Sequence, residues 1–308
     1  MARGWCLRTV YNLVRLARPD QWIKNVFVFA ALVFSRKVTD PAAILDAVIG
    51  FVAFCLASSA IYALNDVFDR KADACHPQKR RRPVASGEIS VVAAAVYSAV
   101  LAAAALAVAF ALRVPFGGSV VAYLVITLAY VLGLKRVAIL DVLLLSAGFV
   151  IRAYAGGKAI DVWVSPWLIL CTLTVALFLG FAKRESERVA LGAAAAAARP
   201  VEWDIYDEKG LAHKLTVSAG LAIVTYMLYT INPETIERVG HPWMLLTVFP
   251  ALYAVFRFHH MAITGRAGDP TEMIRRDAPF VVSLVAWVAM VAVLLFCFGK
   301  HAVWRPLG

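Results

Sequence analysis

Apolar runs of about 20 residues recur along the whole of this chain, the length that carries an α-helix across the hydrocarbon core of a bilayer. A soluble domain of 308 residues has no interior large enough for them. With 62% of residues hydrophobic and only 17% charged, the expected fold class is all-α, a polytopic membrane protein. Nine spans are expected, at about 22–38, 44–66, 89–112, 116–134, 138–158, 165–182, 212–232, 243–262 and 279–299, in one integral-membrane domain over 1–308.

Residues 1–20 carry Arg3, Arg8, Arg15 and Arg18 with neither the apolar core nor the cleavage site of a signal peptide, so they read as a basic amphipathic segment on the membrane surface. If the amino terminus is cytoplasmic, most of the 31 Lys and Arg, counted with those at span ends, fall on the same side. Residues 67–88 and 183–211 then form cytoplasmic loops, and the carboxyl terminus lies outside. The formal charge of +11 is accounted for by this bias and by anionic membrane lipids, without a nucleic-acid partner.

Where the second span ends, the chain reads Asn65-Asp66-Val67-Phe68-Asp69-Arg70-Lys71-Ala72-Asp73. At 100° per residue Asp66, Asp69 and Asp73 fall at about 0°, 300° and 340°, on one helical face with Asn65 at its border. Carboxylates crowded in this way repel one another unless a cation sits among them. Hard oxygen ligands suit Mg²⁺, which takes one or two carboxylates and completes its shell with substrate phosphate and water. Lys79-Arg80-Arg81-Arg82 follows between Pro77 and Pro83. Such a run ordinarily anchors a cytoplasmic loop. Beside the carboxylates it also supplies charge-assisted donors for phosphate, with Lys79, Arg80 and Arg82 as candidates, and the two elements together describe a diphosphate site.

Arg152 lies deep in the fifth span, where an unpaired guanidinium costs about 2.5–3.5 kcal/mol on insertion scales. Asp141 shares its face but lies three turns away, about 16 Å, so Arg152 must meet another helix, a lipid phosphate or a polar substrate. After the sixth span Lys183, Arg184 and Glu187 open a charged loop, which is either solvated surface or a second wall of a polar cavity; the Ala193–Ala198 run beyond carries no chemistry. The five cysteines, Cys6, Cys55, Cys75, Cys171 and Cys297, are scattered and suit no zinc site, and Cys75-His76 is too small a set for a soft metal. The other histidines fall near span ends, and no catalytic triad can be drawn.

Asn65-Asp66-x-x-Asp69-x-x-x-Asp73 resembles the first Asp-rich motif of the UbiA superfamily of intramembrane prenyltransferases, and Tyr130-x-x-x-Leu134-Lys135 is similar to its Tyr-x-x-x-Lys element. Three further segments resemble the branch that contains decaprenyl-phosphate phosphoribosyltransferase and a related rhizobial nodulation protein. They are Arg18-Pro19-Asp20-Gln21-Trp22-Ile23-Lys24-Asn25, His76-Pro77-x-Lys79-Arg80-x-Arg82-Pro83 and Ile151-Arg152-Ala153-x-Ala155-Gly156-Gly157. The resemblance implies a nine-helix bundle around a cavity open to the cytoplasm, in the cell membrane. The superfamily's second Asp-rich motif is replaced here by Lys183-Arg184-x-x-Glu187, which suits a donor with more anionic groups than an isoprenoid diphosphate.

The resemblance thus implies transfer of 5-phosphoribose from phosphoribosyl pyrophosphate to a polyprenyl phosphate, on the way to an arabinose donor for cell-wall polymer or nodulation factor. Asp66, Asp69 and Asp73 would hold Mg²⁺, Asn65 would orient them, and Tyr130, Lys135, Lys183, Arg184 and Glu187 would join the donor contacts. Lys24 or Arg152 would meet the acceptor head. Assembly as a homo-oligomer is compatible with this reading. Two alternatives are prenyl transfer to an aromatic acceptor, and a transporter or scaffold in which the acidic cluster binds a coupling cation; the chain gives no sign of the inverted repeats expected of the latter.

Overall fold

A computed structural model describes residues 2–75, 79–198, 208–266 and 270–298. His76 and Pro77, the Glu202-Trp203-Asp204 end of the expected second loop, and the carboxyl-terminal residues from 299 lie outside the described residues. Among those described the structure is mostly helical, without strands. Eight helices are long and apolar enough to cross a membrane: 41–68, 91–112, 114–132, 140–159, 166–189, 210–231, 242–263 and 278–298. The helices gather into two compact units, Met1–Val164 and Ser165–Gly308.

The first unit begins with α1, Ala2–Ala17. It ends at Arg18, whose backbone turns left-handed at φ 52°. The first expected span, 22–38, is not one regular helix. It is a 3₁₀ segment, Pro19–Phe29, followed by the short α2, Ala30–Phe34. At about 2.0 Å per 3₁₀ residue and 1.5 Å per α residue this stretch extends roughly 30 Å, the length of a span despite its irregularity. The reason for the tighter winding is visible in its buried residues. Side chains three apart eclipse on a 3₁₀ helix, so Trp22, Asn25 and Val28 line up on one edge. Trp22 donates to Ser59 at 3.0 Å, Asn25 donates to Cys55 and Ser58 at 3.3 and 3.2 Å, and Val28 is fully buried. An α-helix would rotate these three positions apart.

Next come α3, Pro41–Phe68, capped by the Asp40 carboxylate, then α4, Arg70–Cys75, α5, Val91–Leu112, α6, Val114–Leu132, and α7, Leu140–Ala159. Small residues line the buried side of α3, including Ala43, Ala47, Gly50, Ala53, Ala57, Ala60 and Ala63. They let neighbouring backbones approach closely, as van der Waals packing requires where lipid offers no hydrophobic drive between helices. Phe54 sits at the centre, edge-on to Phe116 and Tyr123 at centroid distances of 6.0 and 5.3 Å.

The second unit holds α8, Pro166–Ala198, α9, Glu208–Ile231, α10, Pro233–Val239, α11, Val248–Ile263, α12, Pro270–Arg276, and α13, Ala278–Val293. The stretch 183–198, expected as loop, is helical and continues α8. Likewise 67–88 contains the end of α3, all of α4 and a 3₁₀ turn at Lys79–Arg81. In each case the backbone satisfies its own hydrogen bonds by continuing the helix beyond the apolar run, which sequence hydropathy does not register.

Asp277 caps α13 by accepting the Phe280 amide at 2.9 Å, and Arg257 of α11 grips its other side, with contacts down to 2.7 Å. The hydrogen bonds from Arg257 hold the Asp277 carboxyl below the usual carboxylate range against the opposing effect of burial. A depressed folded-state pKa gives stability that is complete above the unfolded value, about 3.9, and is lost as pH falls through the folded one. Thermal unfolding in detergent is therefore expected to show an acid-side loss beginning near pH 4. Asp277→Asn should remove that component while lowering stability at neutral pH.

Candidate functional site

Asp66 is the last turn of α3 and only 1% exposed. Asp69 caps the same helix, and Asp73 lies on α4. The 2.8 Å bonds Asp69 N–H to Asn65 O and Asp73 N–H to Asp69 O carry the helical register almost unbroken across the junction. The three carboxylates therefore emerge in helical sequence, and two of them, Asp66 and Asp73, meet at one arginine nitrogen. Asp66 accepts from Arg18 and, at 3.3 Å, from Arg82; the same Arg82 nitrogen reaches Asp73 at 2.6 Å. Asp69 turns to the other side, accepting from Asn65 at 2.9 Å and from Lys135 at 2.5 Å, while Lys135 also donates to Asn65 at 3.2 Å. The mutual repulsion foreseen from the sequence is relieved by three side-chain cations for three carboxylates.

Each cation reaches the cluster by a different route. Arg18 depends on the left-handed turn that ends α1, and its guanidinium also lies 5.2 Å from the Tyr62 ring. Arg82 comes from the turn after α4. Lys135 sits in a 3₁₀ turn beyond Gly133, where α6 ends; Tyr130 is half-buried on that helix. Arg18 is a cluster residue that the reading of the acidic motif missed. Its signal was its place in the motif at 18–25, just before the first expected span.

One atom in the cluster is unsatisfied. Among the described residues Asp66 Oδ2 is the buried side-chain oxygen with no hydrogen-bond partner. A buried acceptor left unpaired costs about 1–3 kcal/mol, and an absent ion is a recognised reason for one. No group of three or more His, Cys, Asp or Glu among the described residues is gathered tightly enough to hold a metal by itself. An Mg²⁺ that takes one or two carboxylates and finishes its shell with phosphate and water needs no such group. Asp66 with Asp69 or Asp73 fits that mode of binding.

Arg152 takes the first of the options open in the sequence, partners on neighbouring helical segments. It is 5% exposed, donates from Nε to Asn25 at 2.8 Å and from Nη2 to the Tyr123 hydroxyl at 2.8 Å, and lies over the Tyr123 and Phe149 rings at 4.6 and 5.4 Å. Its partners are neutral side chains of the 3₁₀ segment, α6 and its own helix. Lys24, one residue before Asn25, donates to Gln21 at 2.6 Å.

Lys79 and Arg82 line an open cavity of about 420 Å³ together with Arg15, Arg81 and Asp20. Arg80 is exposed outside that lining. In the second unit Lys183, Arg184 and Glu187 are half-buried on α8, where Arg184 donates to Glu187 at 3.0 Å. The most buried acid of that stretch is Glu185, held by Arg188 at 2.7 and 3.0 Å. Its spacing of three from Arg188 was the sequence signal for this pair.

A family model described as the UbiA prenyltransferase family matches residues 25–275. The chain belongs to the UbiA prenyltransferase family. Within it, the chain is similar to the decaprenyl-phosphate phosphoribosyltransferase of Mycolicibacterium smegmatis, at 33% identity over 297 residues covering 93% of each. It is 34% identical to the protein of that name from Mycobacterium tuberculosis over 288 residues, 92% of this chain and 93% of the other. Among solved structures it resembles a UbiA homolog from Archaeoglobus fulgidus bound to GPP and Mg²⁺, with a TM-score of 0.72 at 18% identity, over 92% of this chain and 99% of that one. This UbiA-family chain is thus an integral membrane protein of the transferase kind, with the all-α fold expected of it.

Proposed function

We propose that this protein transfers 5-phosphoribose from phosphoribosyl pyrophosphate to a polyprenyl phosphate of decaprenyl type, releasing pyrophosphate. The observation that carries the reading is the cluster of Asp66, Asp69 and Asp73, neutralised by Arg18, Arg82 and Lys135 beside a second group of cations. An isoprenoid diphosphate would use the first set; a donor with a further phosphate has use for both. The relatives named decaprenyl-phosphate phosphoribosyltransferase, matched over nearly their whole length, support the same transferred group and acceptor.

In the proposed mechanism Mg²⁺, when bound, neutralises the donor's diphosphate and stabilises it as it leaves. Asp66 would hold that ion, with Asp69 or Asp73 assisting, while Asn65 fixes Asp69. As the diphosphate settles, Arg82 and Lys135 would exchange carboxylate for phosphate oxygen, so part of the donor's negative charge meets cations already in place. The acceptor phosphate oxygen attacks the anomeric carbon, forming one C–O bond as the bond to pyrophosphate breaks. That oxygen is already anionic, so no strong general base is needed. Alignment and charge stabilisation in a low-dielectric site supply the rate. Asn25 and Tyr123 hold Arg152 as a fixed buried charge toward which an anionic lipid head is drawn.

The proposal extends to a glycosyltransferase in the cell membrane with a cytoplasmic amino terminus, serving an arabinose donor for cell-wall polymer or nodulation factor. It takes the whole chain, 1–308, as one integral-membrane domain, of which the family model matches 25–275. The roles of Tyr130, Lys183, Arg184 and Glu187 as donor contacts rest on sequence position. Purified protein given Mg²⁺, labelled phosphoribosyl pyrophosphate and polyprenyl phosphate is expected to place label in the lipid fraction. Chelation of the metal should abolish this. Transfer from an isoprenoid diphosphate in its place would replace the reading with prenyl transfer.

A further inference from the structure

The cavity beside the carboxylate cluster is built by α1, the start of the 3₁₀ segment and the turn at 79–83, and its volume of about 420 Å³ lies in the range of small-ligand pockets. Four of its lining residues are cationic, Arg15, Lys79, Arg81 and Arg82, against the single carboxylate of Asp20. Arg15 is the brace: it donates to Glu88 at 2.8 Å and to the Arg81 backbone carbonyl at 2.6 Å, which ties α1 to the turn and fixes where residue 81 sits. Arg82 is shared, lining the cavity while its Nη1 rests on Asp66 and Asp73. Arg81 is exposed, and among the described residues its guanidinium takes part in no hydrogen bond or ion pair. Its planar fork of donors is matched to a phosphate and is not spent on the fold.

We infer that this cavity is the subsite for the 5-phosphate of the sugar donor, with Arg81 as its principal contact and Arg82 bridging to the carboxylates that serve the diphosphate. The inference rests on the phosphoribosyl reading and assigns within it a division of labour. A phosphomonoester dianion needs several charge-assisted donors and no metal, as the cavity provides. Asp20 beside them accepts from sugar hydroxyls, which a bare phosphate lacks. Arg82 between the two places the phosphate groups of one donor on its opposite sides, with the ribose spanning the gap. An isoprenoid diphosphate carries no group for the cavity, so the cavity is also where the two donor classes are told apart.

The test is equilibrium binding of ribose 5-phosphate to the full chain in detergent, without Mg²⁺, compared with binding of Mg-pyrophosphate. Arg81→Ala is expected to weaken ribose 5-phosphate about tenfold or more, the effect of losing one charge-assisted contact. Mg-pyrophosphate affinity and the unfolding midpoint should stay within error of the parent, and Arg81→Lys should recover part of the loss. The inference is overturned if the parent binds no ribose 5-phosphate, if Arg81→Ala leaves its affinity unchanged, or if both ligands weaken alike. It is also overturned if Arg81→Ala reduces only the protein's association with vesicles containing phosphatidylglycerol, since the cavity would then serve a lipid headgroup. Arg81-dependent binding without label transfer from phosphoribosyl pyrophosphate would sink the proposed reaction and leave the sugar-phosphate site standing. Transfer with an unchanged donor KM in Arg81→Ala would do the reverse.

Discussion

Asp66→Asn is expected to lower metal-dependent transfer by at least about 10³-fold, on the scale of removing a main stabiliser of developing charge, with the fold retained. Asp66 Oδ1 accepts from Arg18 and Arg82 while Oδ2 is buried without a partner. Asparagine keeps the shape and an acceptor for those arginines but removes the charge that a divalent ion requires. Two readouts separate a metal role from a structural one: Mg²⁺ affinity by titration, and the unfolding midpoint. Loss of affinity with a midpoint near that of the parent supports the assignment. Near-normal turnover in Asp66→Asn would remove Asp66 from the metal site. Asp66→Ala should be as inactive and less stable, because Arg18 and Arg82 then lose the acceptor oxygen that asparagine keeps. Asp69→Ala is expected to share the loss of turnover, since Asp69 fixes Asn65 and Lys135 on the other side of the cluster.

The second large effect is expected at Gly156, outside the carboxylate cluster. A Cβ built there would lie 2.0 Å from the Val28 carbonyl oxygen and 2.8 Å from its carbon, so backbone rather than a flexible side chain would have to move. Gly156→Ala should therefore cost about 3 kcal/mol or more, at the upper end of overpacking penalties, seen as a lowered unfolding midpoint and poor yield of folded protein. Surviving protein should also be impaired in transfer. Pushing the 3₁₀ segment off α7 withdraws Asn25 from Arg152, which leaves a buried guanidinium short of an acceptor, and it disturbs the turn that delivers Arg18 to Asp66. Gly118→Ala is the control. Nothing lies within 4 Å of its added Cβ, and alanine in a helix gains up to about 1 kcal/mol over glycine, so its midpoint should be unchanged or slightly raised. Equal behaviour of the two variants would show that the close approach of Val28 to Gly156 is not what seats the segment.

Hydropathy located the long helices because a span of 20 apolar residues leaves few alternatives in a bilayer, and the eight long helices fall where the runs are. The segment at 22–38 escaped because its apolar content is that of a span while its three-residue register depends on partners elsewhere: Ser59, Cys55 and Ser58 on α3, and Arg152 on α7. The loop 183–198 escaped for the opposite reason, since a helix can leave the membrane without losing its hydrogen bonds. In the cluster, the order and face of Asp66, Asp69 and Asp73 were legible from helical geometry. Their partners were not. Arg82 and Lys135 stood out as phosphate cations, and the structure places them on carboxylates; Arg18 and Arg81 lay within recognised segments but received no role, because neither belongs to a charge pattern that points to its neighbour.

The sequence by itself determined that this is an all-helical membrane chain of the UbiA family with an acidic helix end facing a run of cations, because apolar run length, helical spacing and motif identity are local properties. The tertiary structure alone decided that three cations answer three carboxylates, that Asp66 keeps one oxygen open, and that Arg152 rests on Asn25 and Tyr123. It also decided that Arg81 faces a cavity. Most of these contacts join residues dozens of positions apart, brought together by close helix packing at small residues such as Gly156, and no spacing along the chain encodes which charge will meet which.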